Sequence, residues 1–295
     1  MTHAQQQPAA ALLLYHRVAT LANDPWKMAV TTAHFAEQMH VLQTAFHPCS
    51  LADMVDAVAH DAIRPRTVSV TFDDGYRDTL YEAKPMLERY GVPATVFVVT
   101  GYIESGRDFW WDVMERQCRT LAVGDEFDAL CRSHHAELQP LGHDERQTFL
   151  DQKQAEIGHA PPATVETMTM AELESLAASS LIEVGAHTVT HPLLTTLSAV
   201  EQLDEMRASK RYLEDVLGHP VRAFSYPFGS YEPTSVASAR TAGFSCACTS
   251  ARRPVTAGTD AFELPRFPVG NWSGEELGRT LSTWLGEPHR SGSGR

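Results

Sequence analysis

The chain has 295 residues, 43% of them hydrophobic, and 24 Lys and Arg against 37 Asp and Glu, for a formal net charge of −13. That length and apolar content suffice for one large core, either a single barrel-sized domain or two smaller ones. The acidic balance and the lack of any basic stripe argue against nucleic acid and anionic membranes as partners.

Residues 1–8 are polar and read as a flexible tail. The apolar run AAALLLY at 9–15 is too short to span a bilayer. No basic segment precedes it and no small-residue cleavage site follows, so it reads as a first strand over 12–16 rather than an export signal, which points to a cytoplasmic protein. A helix follows near 32–45 with Phe35, Met39 and Leu42 on one face, and Ser50 caps a second carrying Leu51, Met54, Val55 and Val58. TVSVTF at 67–72 alternates apolar and small polar residues, as a strand does; the helix after it stops at Gly91. PATVFVV at 93–99 is a β-rich run of the kind buried on both faces.

Residues 101–165 break this rhythm with FWWD at 109–112 and helical stretches rich in Glu, Gln and His, and read as an insertion over one end of the fold. The alternation resumes with a capping box at Thr169 and Glu172 and a strand, LIEVGAH, at 181–187. Ser198 and Glu201 open a long helix ended by Gly218, VRAFSYP at 221–227 is a strand, and Pro233 opens a helix closed by Gly243. FSCACT at 244–249 and ELPRFPV at 263–269 are shorter strands, Ser273 and Glu276 cap a final helix, and residues 290–295 form a second flexible tail. The pattern amounts to about seven β–α units without an internal repeat, which predicts a parallel barrel or a doubly wound sheet with functional groups at the C-terminal strand ends. The five cysteines are odd in number and show no C-x-x-C spacing, as expected of reduced thiols.

Two strand ends carry chemistry. Asp73 and Asp74 stand side by side where 67–72 ends, followed by Gly75. Neighbouring side chains on a strand face opposite ways, but Gly75 frees the chain to turn, so both carboxylates can converge on a pocket that holds a cation. The alternative is a pair of exposed loop acids or helix N-caps. His187 and His191, directly after 181–187, are four apart, a spacing that on a helical turn puts both imidazoles on one face. One carboxylate with two imidazoles suits zinc or a similar divalent ion. Magnesium-dependent phosphoryl transfer also uses paired aspartates, but the imidazoles and the lack of a Gly-rich phosphate loop argue against it.

TFDDG at 71–75 together with HTVTH at 187–191 resembles the polysaccharide deacetylases of the NodB-like group, the fourth carbohydrate esterase family, and FSYPFGSY at 224–231 resembles their third motif. The resemblance spans about residues 10–270. It implies an α/β fold, a distorted (β/α)7 barrel, with residues 9–290 as one domain that contains the largely helical insertion 101–165. It implies metal-dependent removal of an N- or O-acetyl group from an acetylated sugar or oligosaccharide. Carried over, Asp74, His187 and His191 are the metal ligands, Asp73 the general base, and the backbone N–H of Phe228 an oxyanion donor, with Tyr226 beside it in the substrate-binding motif.

Two departures stand out. The group's late Leu-x-His acid is missing, since only His289 follows the third motif; His16, at the end of the first strand, takes that role if the chain is a circularly permuted member. Tyr226 stands where an Arg usually precedes the Pro, so Arg266 in LPRFP would orient Asp73 instead, unless it is a surface ion pair. Trp110 and Trp111 are sugar-stacking candidates or the small core of the insertion, with Asp112 a helix cap or an acceptor for a sugar hydroxyl. Two further functions stay open: hydrolysis of a formyl or non-sugar amide on the same scaffold, and a non-catalytic carbohydrate-binding protein.

Overall fold

The computed structural model describes residues 8–103, 105–158 and 165–286. His289 and, apart from Pro8, the two tails lie outside the described residues.

Among the described residues seven strands form the barrel core, β1 (Ala9–Tyr15), β2 (Thr67–Phe72), β3 (Ala94–Val98), β4 (Ile182–Ala186), β5 (Ala223–Ser225), β6 (Cys246–Cys248) and β7 (Phe267–Pro268), with the two-residue strand His47–Pro48 also parallel to β2. The first six are hydrogen-bonded in chain order, each parallel to the next. β7 returns to lie parallel to Leu13 and Leu14 of β1, and a parallel bridge from Cys248 to Leu264 draws the segment before β7 against β6. The sheet therefore curls on itself as a distorted (β/α)7 barrel of the α/β class. The distortion is concentrated after β4, which shares one registered pair with β5, Ala186 with Phe224. The late strands are accordingly shorter than the apolar runs that contain them.

Parallel neighbours need a crossover, and helices supply it. They include α1 (Thr32–Ala45), α2 (Leu51–Ala59), α3 (Lys84–Tyr90), and, after the insertion, α7 (Met170–Ala177), α8 (Ala199–Leu217), α9 (Pro233–Thr241) and α10 (Gly274–Trp284). Ser50, Thr169, Ser198 and Ser273 each accept the N3 amide, as their sequence positions predict. A cap of this kind stabilises a helix by about 1 kcal/mol. On β2, Val68, Val70 and Phe72 pack in one buried cluster with Phe35, Met39 and Leu42 of α1 and Leu87 of α3. Ser69 and Thr71 belong to the opposite, polar face, and Thr71 donates to the Leu13 carbonyl of β1 (2.7 Å). Full burial of each large apolar side chain in that cluster contributes roughly 1.5–3 kcal/mol.

Between β3 and α7 lie α4 (Trp110–Leu121), α5 (Gly124–Leu138) and α6 (His143–Ile157). They surround a second apolar cluster that includes Trp110, Met114, Phe127 and Leu150 and reaches the barrel through Tyr76. All five cysteines are unpaired. No helix among the described residues is long and apolar enough to cross a membrane.

Candidate active site

The carboxylate pair is built by the end of β2. Asp73 extends the ladder, donating its N–H to the Tyr15 carbonyl (3.0 Å), and its side chain emerges on the polar face with Thr71. Arg266 meets it there in a two-pronged ion pair, Nη1 to Oδ1 and Nη2 to Oδ2, both at 2.7 Å. Arg266 is fully buried; Nε donates to the Thr249 carbonyl (2.9 Å) and Nη2 also to the Ser225 hydroxyl (2.8 Å). It is therefore no surface ion pair. Burial alone would raise the Asp73 carboxyl; the Arg266 guanidinium, with a smaller part from His187, outweighs it and holds the group at about 2.

Asp74 would point away from Asp73 if the strand continued. Instead its backbone is left-handed (φ 72°), as is Gly75 (φ 87°), and the turn brings the second carboxylate into the same cavity. Burial and the charge of Asp73 push Asp74 well above the usual carboxylate range.

His187 and His191 converge without a helical turn. The segment is an irregular loop in which Thr188 (φ 67°) and His191 (φ 52°) take left-handed backbone, so the i,i+4 helical geometry expected from the spacing is replaced. Outside contacts hold it. Glu205 of α8 accepts the amides of Val189 (2.7 Å) and Thr190 (3.0 Å), and Gly101 donates to the Val189 carbonyl (2.9 Å). A Cβ on Gly101 would lie 2.5 Å from that carbonyl oxygen, so only glycine permits the approach. Arg146 of α6, 2% exposed, donates to the His191 carbonyl (3.0 Å) and to the carbonyls of Leu138 and Gln139 that end α5.

The His187 Nδ1 donates to the Ser225 carbonyl (2.7 Å), which leaves the Nε2 lone pair aimed at Asp74 Oδ1 (3.6 Å). His191 Nε2 lies 3.5 Å from the same oxygen and 3.2 Å from His187 Nε2, and its Nδ1 is buried without a partner. Burial pushes both imidazoles down, toward the neutral form that binds metal. One carboxylate oxygen and two imidazole nitrogens within 4.8 Å of one another, one ring oriented by a backbone carbonyl, fit a divalent cation.

These groups form the floor of a cavity of about 460 Å³, whose lining includes His16, Trp26, Trp111, His135 and Phe228. His16 is part-accessible there, and burial lowers it to about 4. Phe228 has left-handed backbone (φ 59°), and its ring packs edge-on against His191 at 4.5 Å. Trp111 lies 4.8 Å from His191 and stacks on Phe109 at 4.6 Å. Its indole N–H donates to Tyr76 (2.7 Å), whose hydroxyl donates to Asp112 (3.1 Å). Asp112 is thus a buried acceptor rather than a helix cap. Trp110 turns the other way, against Arg146 and into a separate cleft between α4 and α6. Tyr226 is also turned from the cavity: it is buried, and its hydroxyl donates to the Phe262 carbonyl (3.1 Å). Tyr226 follows the site-facing Ser225 in extended backbone and so points the other way, whereas Trp110, one residue before Trp111 at the start of α4, is turned roughly 100° around the helix from it.

Sequence reasoning missed Ser225, which serves both His187 and Asp73, and the Tyr76–Asp112 support beneath Trp111. It also missed Trp26 and His135, whose rings lie 4.8 Å apart at the cavity wall. Ser225 lies inside the quoted third motif, the one available signal; the others depend on contacts between distant segments.

The family described as polysaccharide deacetylase matches residues 60–247. YxkH of Bacillus subtilis (strain 168), a polysaccharide deacetylase homologue, is 23% identical over 219 residues, 74% of this chain and 57% of that protein, so the chain spans little more than half that relative's length. Among solved structures, the Streptococcus pyogenes deacetylase PplD, in complex with acetate, superposes with a TM-score of 0.66 at 20% identity, covering 94% of this chain and 99% of that one. IcaB from Ammonifex degensii gives 0.64 at 21%, covering 95% and 98%. At these identities the superpositions speak for the fold.

Proposed function

Because the chain belongs to the polysaccharide deacetylase family, we propose that it is a metal-dependent hydrolase that removes an N-acetyl or O-acetyl group from an amino-sugar-containing saccharide or glycan precursor. The observation that carries this reading is the cluster of Asp74, His187 and His191 within 4.8 Å, beside an Asp73 gripped by Arg266, at the floor of one cavity. Asp74, His187 and His191 would hold one divalent cation, and their donor set suits zinc. When bound, the cation supplies a Lewis acid that polarises an acyl carbonyl and makes water easier to deprotonate.

The remaining work falls to the chain's own side chains. Asp73, kept ionised by Arg266, accepts the proton of the attacking water; with the Lewis acid adjacent, a weakly basic carboxylate suffices. The oxyanion is held in part by the Phe228 N–H. His16 delivers a proton to the departing amine. Its imidazole rests neutral, so the proton it delivers must first be taken up from solvent through the open cavity. Arg266 and Ser225 fix the Asp73 carboxylate, and the Ser225 carbonyl fixes the His187 tautomer. Trp111 offers the sugar an apolar face whose orientation is locked by Tyr76, while Trp110 anchors α4.

Acetate release from a panel of N-acetylated, O-acetylated and N-formylated amino sugars tests this reading. Acetate is expected from at least one acetylated sugar, with activity lost on chelation and restored by zinc. Release of formate alone, or acetate release indifferent to chelation, would contradict it.

A further inference from the structure

We infer that the sugar this pocket accepts carries a negatively charged group, a phosphate or a carboxylate close to the acetamide, and that Lys27 and Arg252 bind it. The inference rests on the deacetylase reading and adds a substrate class to it.

Asp73, Asp74, Lys27 and Arg252 are the acidic and basic side chains that line the cavity, histidines aside. Asp73 is balanced by Arg266, and Asp74 belongs to the cation site. Lys27 and Arg252 remain, both exposed and, among the described residues, without an ion-pair partner. In a chain of net charge −13, the lining of this cavity thus carries two cations that make no ion pair among the described residues. Coulomb attraction between such cations and an anionic ligand is strengthened by the low-dielectric aromatic walls around them.

The placement of Lys27 is built. Its backbone is left-handed (φ 54°), an uncommon state for a side chain with a Cβ, and its N–H donates to the Asp24 carbonyl (3.1 Å). The Asp24 carboxylate accepts the amides of Met28 (3.0 Å) and Ala29 (2.9 Å), so the one acid of this turn is engaged by backbone. Next to Lys27, the indole N–H of Trp26 is buried without a partner in a residue that lines the same cavity. The Trp26 ring itself, which lines the cavity next to Lys27, offers an apolar face for a sugar. Arg252 reaches the cavity from the loop after β6, at the other end of the sheet's chain order.

The same charges exclude a different substrate. Repeated deacetylation of a neutral polymer leaves protonated amines on neighbouring sugars, and Lys27 and Arg252 would repel them. An anionic sugar converted at a single residue meets no such penalty.

Three probes test the inference: N-acetylglucosamine 1-phosphate, N-acetylmuramic acid and neutral N,N′-diacetylchitobiose. Calorimetric affinity is measured alongside acetate release, for wild type and for the Lys27→Gln/Arg252→Gln double variant. At least one charged sugar is expected to bind about tenfold more tightly than chitobiose, with the advantage in KM rather than kcat, and to lose it in high salt and in the double variant. The better of the two charged sugars identifies phosphate or carboxylate as the recognised group. Chitobiose binding as well as both, or a double variant that keeps the preference, would overturn the inference while acetate release still supported deacetylation. Tight, salt-sensitive binding of a charged sugar with no acetate from any probe would instead sink the deacetylase reading.

Discussion

Asp73→Asn is expected to lower acetate release by about three orders of magnitude while the divalent cation stays bound. Proton transfer by a positioned base contributes roughly 10²–10⁴-fold. Asparagine keeps the shape of the side chain but cannot accept the proton. The three proposed cation ligands are left intact, since Asp73 is not among them. The measurement pairs kcat with metal content of the purified variant, and circular dichroism verifies folding, because Arg266 loses its counter-charge. A variant with a near-wild-type rate would remove Asp73 from the chemistry. One that is inactive but metal-free would make Asp73 a ligand instead.

The second large effect belongs to Arg266. Arg266→Met leaves a carboxylate in the barrel interior with its strongest partner gone, and removing one partner of a buried pair costs roughly 3–5 kcal/mol. The pH dependence of this loss has a definite sign. In the wild type the Asp73 carboxyl is held at about 2, below its unfolded value near ~3.9. The stability it contributes is therefore fully present above the unfolded value and lost as pH falls through the folded one. In the variant, burial dominates and the folded value rises, so the neutral-pH penalty is relieved on acidification. The gap in urea midpoint between wild type and variant should be widest at pH 7 and narrow below about pH 4. Equal midpoints at pH 7 would show that the pairing contributes nothing to the fold. The acidic limb of the residual activity should also move to higher pH.

The readable part of this site is the part written at strand ends. A β strand that finishes in two aspartates and a glycine, and another followed by paired histidines, combine residue types whose chemistry is narrow with positions where barrels gather their sites. Arg266 was legible for a different reason: it precedes β7 rather than following a strand, and it was singled out because Tyr226 stands where an Arg usually precedes the Pro. Strands β2 to β4 were placed within one residue because their apolar runs are buried on both faces, whereas β1 starts three residues earlier than expected, at Ala9. β5, β6 and β7 came out shorter than their runs, because the sheet is sparsely registered after β4 and apolar residues there pack without a ladder.

What the sequence concealed was backbone handedness and distance. Nothing local announces that His191 is left-handed; Glu205, Gly101 and Arg146 impose it from three other elements. Tyr226 and Trp110 sit beside site-facing residues and point elsewhere, a distinction that adjacency alone cannot make. Lys27 and Arg252 are remote in sequence, so an overall acidic composition masked two cations in the cavity lining.

The most direct measurement is metal stoichiometry by inductively coupled plasma mass spectrometry on wild type, Asp74→Ala and His191→Ala. One divalent ion per chain in the wild type, strongly reduced in both variants, is the predicted result. A folded wild type that binds none at micromolar zinc, or an Asp74→Ala protein that keeps its full complement, would contradict the account.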